Sequence, residues 1–145
     1  MYKKLLVAYD GSFMSREAIE NAKFYAKQKE NVQVHIISIL ETTAPATNMS
    51  LRTSMMNELK EKLQPQMDEI AKEFKMDNVH VTTQLIAQDG ERNPGKIIVQ
   101  YAKDNDIEVI LIGSRGLGNI KSMVLGSVSK HVVQNADCHV FVIKK

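Results

Sequence analysis

Val109-Ile110-Leu111-Ile112-Gly113-Ser114-Arg115-Gly116 sets four apolar β-formers against a glycine-punctuated turn. A run this short and this continuously apolar, stopped by glycine, reads as a strand covered on both faces. Downstream, Gly126 and Ser127 open a segment with Val128, Val132 and Val133 on one predicted helical face. Val140-Phe141-Val142-Ile143 follows as a last strand, ended by Lys144-Lys145. Strand, turn, helix and strand in that order make a parallel crossover unit.

The same grammar runs upstream. Leu5-Leu6-Val7-Ala8-Tyr9 is a buried strand bounded by Asp10-Gly11-Ser12. Ser15 is the expected N-cap of a helix whose inner face carries Ala18, Ile19, Ala22, Tyr25 and Ala26. Val32 to Leu40 is a second strand, rich in Val and Ile. Residues 41–54 read as a loop. Residues 51–76 carry Leu51, Met55, Leu59, Leu63, Met67, Ile70 and Phe74 at helical spacing, with Pro65 predicting a kink or break. Val79 to Ala87 is a third strand, and a helix through Ile97, Ile98, Tyr101 and Ala102 leads back to Val109. The whole chain, 1–145, is expected to form one α/β domain: a five-stranded, doubly wound parallel sheet with helices on both faces.

Bulk properties narrow the function. A net charge of +2 with dispersed Lys and Arg argues against a nucleic-acid surface. One cysteine, Cys138, allows no internal disulfide and suits a reducing compartment. No stretch has the length of a signal peptide or a membrane span, so the expected setting is the cytoplasm, with no membrane partner.

Open parallel sheets bind ligands beyond the carboxyl ends of their strands, where strand order reverses. Two strand ends carry suitable residues: Asp10-Gly11-Ser12, and Gly113 to Gly118. Gly113 and Gly116 let backbone approach a ligand. Gly126-Ser127 opens a helix, whose N-terminal N–H groups suit a phosphate. Ser127 and Ser129 are candidate hydroxyl donors.

Gly113-x-x-Gly116, nine residues, then Gly126-Ser127 resembles the G-2x-G-9x-G-S/T signature of the universal stress protein family. Val7-Ala8-Tyr9-Asp10-Gly11-Ser12 resembles that family's first strand and its Asp turn, and the alternation of elements matches along the chain. Asn135-Ala136-Asp137-Cys138-His139 stands where the family commonly has a Pro-containing turn. The resemblance implies strand order 3-2-1-4-5 and an adenine nucleotide at the switch between the first and fourth strands. It places Asp10 near the adenosine, with Tyr9 beside it, and backbone at Ala8 and Ile39 against the adenine. Ile112, Gly113, Arg115 and Gly116 would line the ribose and phosphates, and Gly126, Ser127, Val128 and Ser129 would hold the phosphates. The implied ligand is ATP, or AMP or ADP, with magnesium. The implied assembly is a homodimer through the last strand.

Other motifs do not complete. Gly90 to Ile97 lacks the hydroxyl residue of a P-loop, and Pro94 fits a helix start better. There is no G-x-S-x-G elbow. Cys138 and His139, adjacent on a strand, should point to opposite faces. Without Trp or an aromatic loop, a flavin domain is disfavoured. The expected function is nucleotide-binding stress response or regulation, with at most weak ATP hydrolysis and no other enzymatic activity. A dimeric interaction module that binds no nucleotide is the open alternative.

Overall fold

Helix and strand alternate because apolar period-two and period-3.6 segments alternate, each cut off by polar turns. The computed structural model describes residues 2–42, 44–76, 78–88, 93–115 and 126–144. Within these lie β1 (Lys4–Ala8), α1 (Phe13–Lys27), β2 (Val32–Leu40), α2 (Met49–Lys72), β3 (Val79–Ala87), α3 (Pro94–Asp104), β4 (Val109–Gly113), α4 (Ser127–Asn135) and β5 (His139–Ile143). The five strands are parallel and ordered β3-β2-β1-β4-β5. The order in which successive strands are laid across the sheet therefore reverses between β1 and β4.

Two cores flank the sheet. On one face Leu5, Val7, Val34 and Ile36 meet Ala18, Ile19 and Ala22 of α1, Met67 and Ile70 near the end of α2, and Phe74 just past it. On the other, Leu6, Ile37, Ile110 and Ile112 meet Ile98 and Ala102 of α3 and Val132 of α4. The alanines let α1 lie close to β1 and β4. Each fully buried Leu or Ile contributes about 1.5–3 kcal/mol.

Local detail departs from the sequence reading in four places. The cap of α1 is Ser12, not Ser15: Ser15 lies inside the helix, donating its N–H to Ser12 Oγ (3.2 Å) and its hydroxyl to Ser12 O (3.0 Å). The polar run 41–54 is a loop only to residue 48, where Asn48 Oδ1 accepts from Leu51 N (3.0 Å) and caps α2. Pro65 does not break α2. Pro65 and Glu61, whose carbonyl loses a helical donor, are both exposed, so water can serve that carbonyl. Val133 faces solvent rather than the core. The edge strands also differ from the central ones: His80, Thr82 and Gln84 of β3 and Phe141 of β5 are exposed, whereas β4 is buried throughout.

α3 begins at Pro94, as the sequence predicts, with Asn93 Oδ1 accepting from Gly95 N (2.8 Å). The first residues of the P-loop-like stretch, 90–92, lie outside the described residues.

Candidate functional site

At the carboxyl edge, β1 stops three residues before its neighbour β2 does. Ala8 pairs with Ile37, Tyr9 N donates to Ile37 O (2.9 Å), and the Ser38 hydroxyl then donates to Tyr9 O (2.7 Å). Backbone groups alternate sides along a strand. Ile37 faces β1, and Leu40 O faces β3, accepting from Gln88 N (2.8 Å). The N–H and C=O of Ile39 therefore point to the side that β1 has vacated. They form a donor–acceptor pair on the wall of a cleft.

The chain leaving β1 is held in a tight turn. Asp10 Oδ1 accepts from Ser12 N (2.9 Å), an Asx turn, and Gly11 adopts φ 85°, a conformation suited to glycine. Ser15 Oγ lies 3.3 Å from Asp10 N, and Ser12 and Ser15 are buried. Asp10 thus both closes the turn and lines the cleft.

Past β4, the described residues Ser114 and Gly126 are hydrogen-bonded to each other. A Cβ on Gly113 would sit 2.6 Å from Met14 Cβ, so glycine here is what lets α1 begin against β4. Ser114 is buried, donates its N–H to Ile143 O (2.8 Å), and accepts at its carbonyl from Gly126 N (2.7 Å) and Ser129 Oγ (2.9 Å). Gly126, the N-cap of α4, carries no side chain to cap it. The N–H groups of Ser127, Val128 and Ser129 occupy the first turn, where no intrahelical acceptor exists, and present the positive end of the helix dipole. The buried Ser129 hydroxyl is engaged within the chain, which leaves its N–H as the group offered to a ligand. Ser127 is exposed.

Between these strand ends lies a cleft of about 760 Å³. It brings together Ala8, Tyr9, Asp10, Ile39, Ile112, Gly113, Arg115, Gly126, Ser127, Val128 and Ser129. Gly116 lies outside the described residues. The cleft also holds Ser12, from the Asp10-Gly11-Ser12 turn that the sequence singles out. It gathers Ser15, Ser38 and Glu41, Leu59, Lys62 and Leu63 of α2, and Pro94 and Ile98 of α3, which the sequence does not assign to a ligand. The leucines had left a signal in the amphipathic stripe of 51–76. Ser38 had none, being one polar residue in an apolar strand. The lining is mainly apolar, with Arg115 and Lys62 against Asp10 and Glu41 as its charged groups.

Chemistry elsewhere is sparse among the described residues. No three His, Cys, Asp or Glu side chains gather as metal ligands. Cys138 packs into the α3–α4 core, and burial pushes its thiol pKa up, away from the reactive thiolate. His139 points the other way, its Nδ1 lying 2.6 Å from the Tyr2 hydroxyl. The His35 imidazole is held below its ordinary pKa by burial, with its Nδ1 2.7 Å from the Tyr101 hydroxyl. Among the described residues no helix is long and apolar enough to cross a membrane.

Comparison with known proteins agrees with this architecture. YxiE, a universal stress protein of Bacillus subtilis, is 31% identical over 157 aligned positions, covering 99% of this chain and 100% of that one. The solved structure of MJ0577 from Methanocaldococcus jannaschii superposes with a TM-score of 0.88 at 26% identity, covering 100% of this chain and 97% of that one. A universal stress protein from Archaeoglobus fulgidus, solved in complex with dAMP, shares the fold at a TM-score of 0.64 and 23% identity, covering 99% and 98%. The sequence pattern of the universal stress protein family matches residues 1–144. This chain belongs to the universal stress protein family.

Proposed function

We propose that the chain binds an adenine nucleotide, ATP foremost with AMP and ADP as alternatives, and acts as a regulatory or stress-response protein in the cytoplasm. The observation that carries this reading is one cleft holding two complementary ends. The first turn of α4 offers N–H donors and a dipole to phosphates. The Ile39 backbone offers one donor and one acceptor, the pattern that matches the amino edge of adenine. Apolar side chains between them suit the faces of a base. The dAMP complex of the Archaeoglobus protein supports the adenine assignment. Magnesium would accompany a triphosphate, held chiefly through the phosphates themselves. Asp10 Oδ1 is engaged by Ser12 N, which favours a binding role over that of a general base. Any hydrolysis is therefore expected to be slow.

The test is calorimetric titration of ATP and AMP, with magnesium, into nucleotide-stripped protein and a Ser127→Pro variant. Proline is well accepted at the first helical position, and Gly126 already has the extended backbone that must precede it (φ −70°, ψ 167°). The substitution removes one phosphate donor and leaves the helix intact. Affinity for ATP should fall roughly tenfold or more, the scale of a hydrogen bond to a charged group. Absence of both heat and thermal shift in the wild type would overturn the reading and leave a non-nucleotide interaction module.

A second reading, compatible with the first, rests on β5. This strand ends the sheet and carries Phe141, 58% exposed. An uncovered apolar edge invites pairing, and self-pairing about a two-fold axis would give a homodimer. Sedimentation should show a dimer that Phe141→Glu converts to a monomer. A wild-type monomer at high micromolar concentration would count against it.

A further inference from the structure

We infer that the N-terminal part of α2 is the wall of the cleft that grips the base, through Leu59 and Leu63. This inference rests on the nucleotide reading above.

α2 is unusual for its length and for how little of it is buried. It spans 24 residues, about 36 Å at 1.5 Å per residue, yet its only buried residues are Met67 and Ile70 in the last two turns. A helix is normally held in a domain by an apolar face packed along its length. Here the stripe continues backwards through Leu63 and Leu59, but it leaves the sheet. Both leucines are half-buried, and both line the cleft. They are one turn apart on the same face of the helix.

The opposite wall comes from the other side of the sheet. α2 belongs to the core under one face, while Ile98 of α3 belongs to the core under the other, and Ile98 lines the same cleft. Between them, at the strand ends, lies Ile39, whose N–H and C=O point to the side that β1 has vacated. A flat heterocycle whose amino edge meets Ile39 would have one face towards Leu59 and Leu63 and the other towards Ile98. Aliphatic walls recognise such a ring by shape and dispersion. Phosphates, bound at the first turn of α4, would not depend on the Leu59 and Leu63 side chains.

The experiment separates the two ends of the ligand with three probes: ATP, adenosine and inorganic tripolyphosphate. Each is titrated with magnesium into the full chain, into Leu59→Ala/Leu63→Ala, and into the volume-conserving Leu59→Met/Leu63→Met. The alanine variant should lose roughly a hundredfold in affinity for ATP and adenosine, about tenfold per leucine, and keep its affinity for tripolyphosphate. The methionine variant should restore most of the loss, which excludes a folding defect as its cause. Wild-type ATP affinity in the alanine variant would overturn the α2 inference, and so would a loss shared equally by tripolyphosphate. Either result leaves the nucleotide reading standing. Failure of the unmodified chain to bind any probe would instead remove the nucleotide reading, and this inference with it.

Discussion

The two walls of the cleft are built by opposite means. On the β1–β4 side, two hydrogen-bonded clusters, Asp10–Ser12–Ser15 and Ser114–Gly126–Ser129, are centred on the buried Ser12, Ser15, Ser114 and Ser129, and Gly113 leaves no room for a side chain against Met14. On the α2 side, the helix from 49 to 66 contributes no buried residue. Its described polar ties to the rest of the chain run to the loop ahead of it, where Arg52 Nη1 donates to Ala44 O (3.1 Å) and the Thr42 hydroxyl reaches Met55 Sδ (3.4 Å). Buried hydrogen-bond networks fix geometry, whereas half-buried apolar contacts tolerate adjustment. Phosphates are small, charged and demanding of direction; a base is large and needs mainly shape. Each wall suits the part of the ligand proposed for it.

The largest expected effect tests how unforgiving the first wall is. Gly113→Val places new atoms inside Met14 and should cost about 3 kcal/mol or more of stability, read from urea unfolding. Gly126→Ala should cost under about 1 kcal/mol, because the added Cβ would lie no closer than 3.4 Å to any neighbour. Equal costs would show that Gly113 and Gly126, two of the signature's three glycines, have one role. The same contrast applies within α2. Met67→Ala should lose about 2–4 kcal/mol from the core, while Leu59→Ala, without ligand, should lose less than about 1 kcal/mol. A large loss at Leu59 would mean that this half of the helix is packed after all.

The contrast also explains what could be read in advance. The strand ends were legible because glycine, Asp and Ser interrupt apolar runs there, and such punctuation is local. The strand order came from the family resemblance and is the order observed. The role of Gly113 was not legible, since its contact with Met14 joins residues from distant parts of the chain. Nor was the start of α2. Residues 49–54 combine polar side chains with a weak stripe, and Asn48 as a cap is visible only once the helix is known. Of the kink or break that Pro65 predicts, the break does not occur, because the helix is solvent-exposed where the lost donor matters. The stripe from Leu51 to Phe74 was plain, but a periodic pattern does not say where the sheet beneath it ends. That boundary turns Leu59 and Leu63 from core residues into ligand wall.

A smaller effect probes one link in the first wall. Ser129→Ala removes the hydroxyl bonded to Ser114 O and Gly126 O while keeping the Ser129 N–H. Stability should fall by about 1–2 kcal/mol, since the Ser114 carbonyl retains only Gly126 N as a partner. ATP affinity should fall less than in Ser127→Pro. The reverse ranking by titration would show that the hydroxyl itself contacts phosphate.

The smallest effect concerns how the anchored end of α2 is tied down. Glu73, just past that helix, receives Arg16 Nη1 (2.9 Å) and Lys23 Nζ (2.8 Å) from α1. These hydrogen bonds, Arg16 first, overcome the opposing effect of burial and lower its pKa from 4.5 to about 2. A carboxylate with a depressed folded pKa adds stability above its unfolded value, and the gain fades as pH falls towards the folded one. The partners are partly exposed, so the contribution after solvent screening is about 1 kcal/mol. Glu73→Gln should therefore unfold at lower urea than wild type at neutral pH, with the two curves converging as pH drops from about 4.5 to about 2. A gap independent of pH would assign the loss to packing rather than charge. Because this tie lies at the end of α2 remote from Leu59 and Leu63, ATP affinity should stay unchanged. A weakened affinity would show that the two halves of the helix move as one rigid body, and the contrast between anchored and overhanging halves would have to be withdrawn.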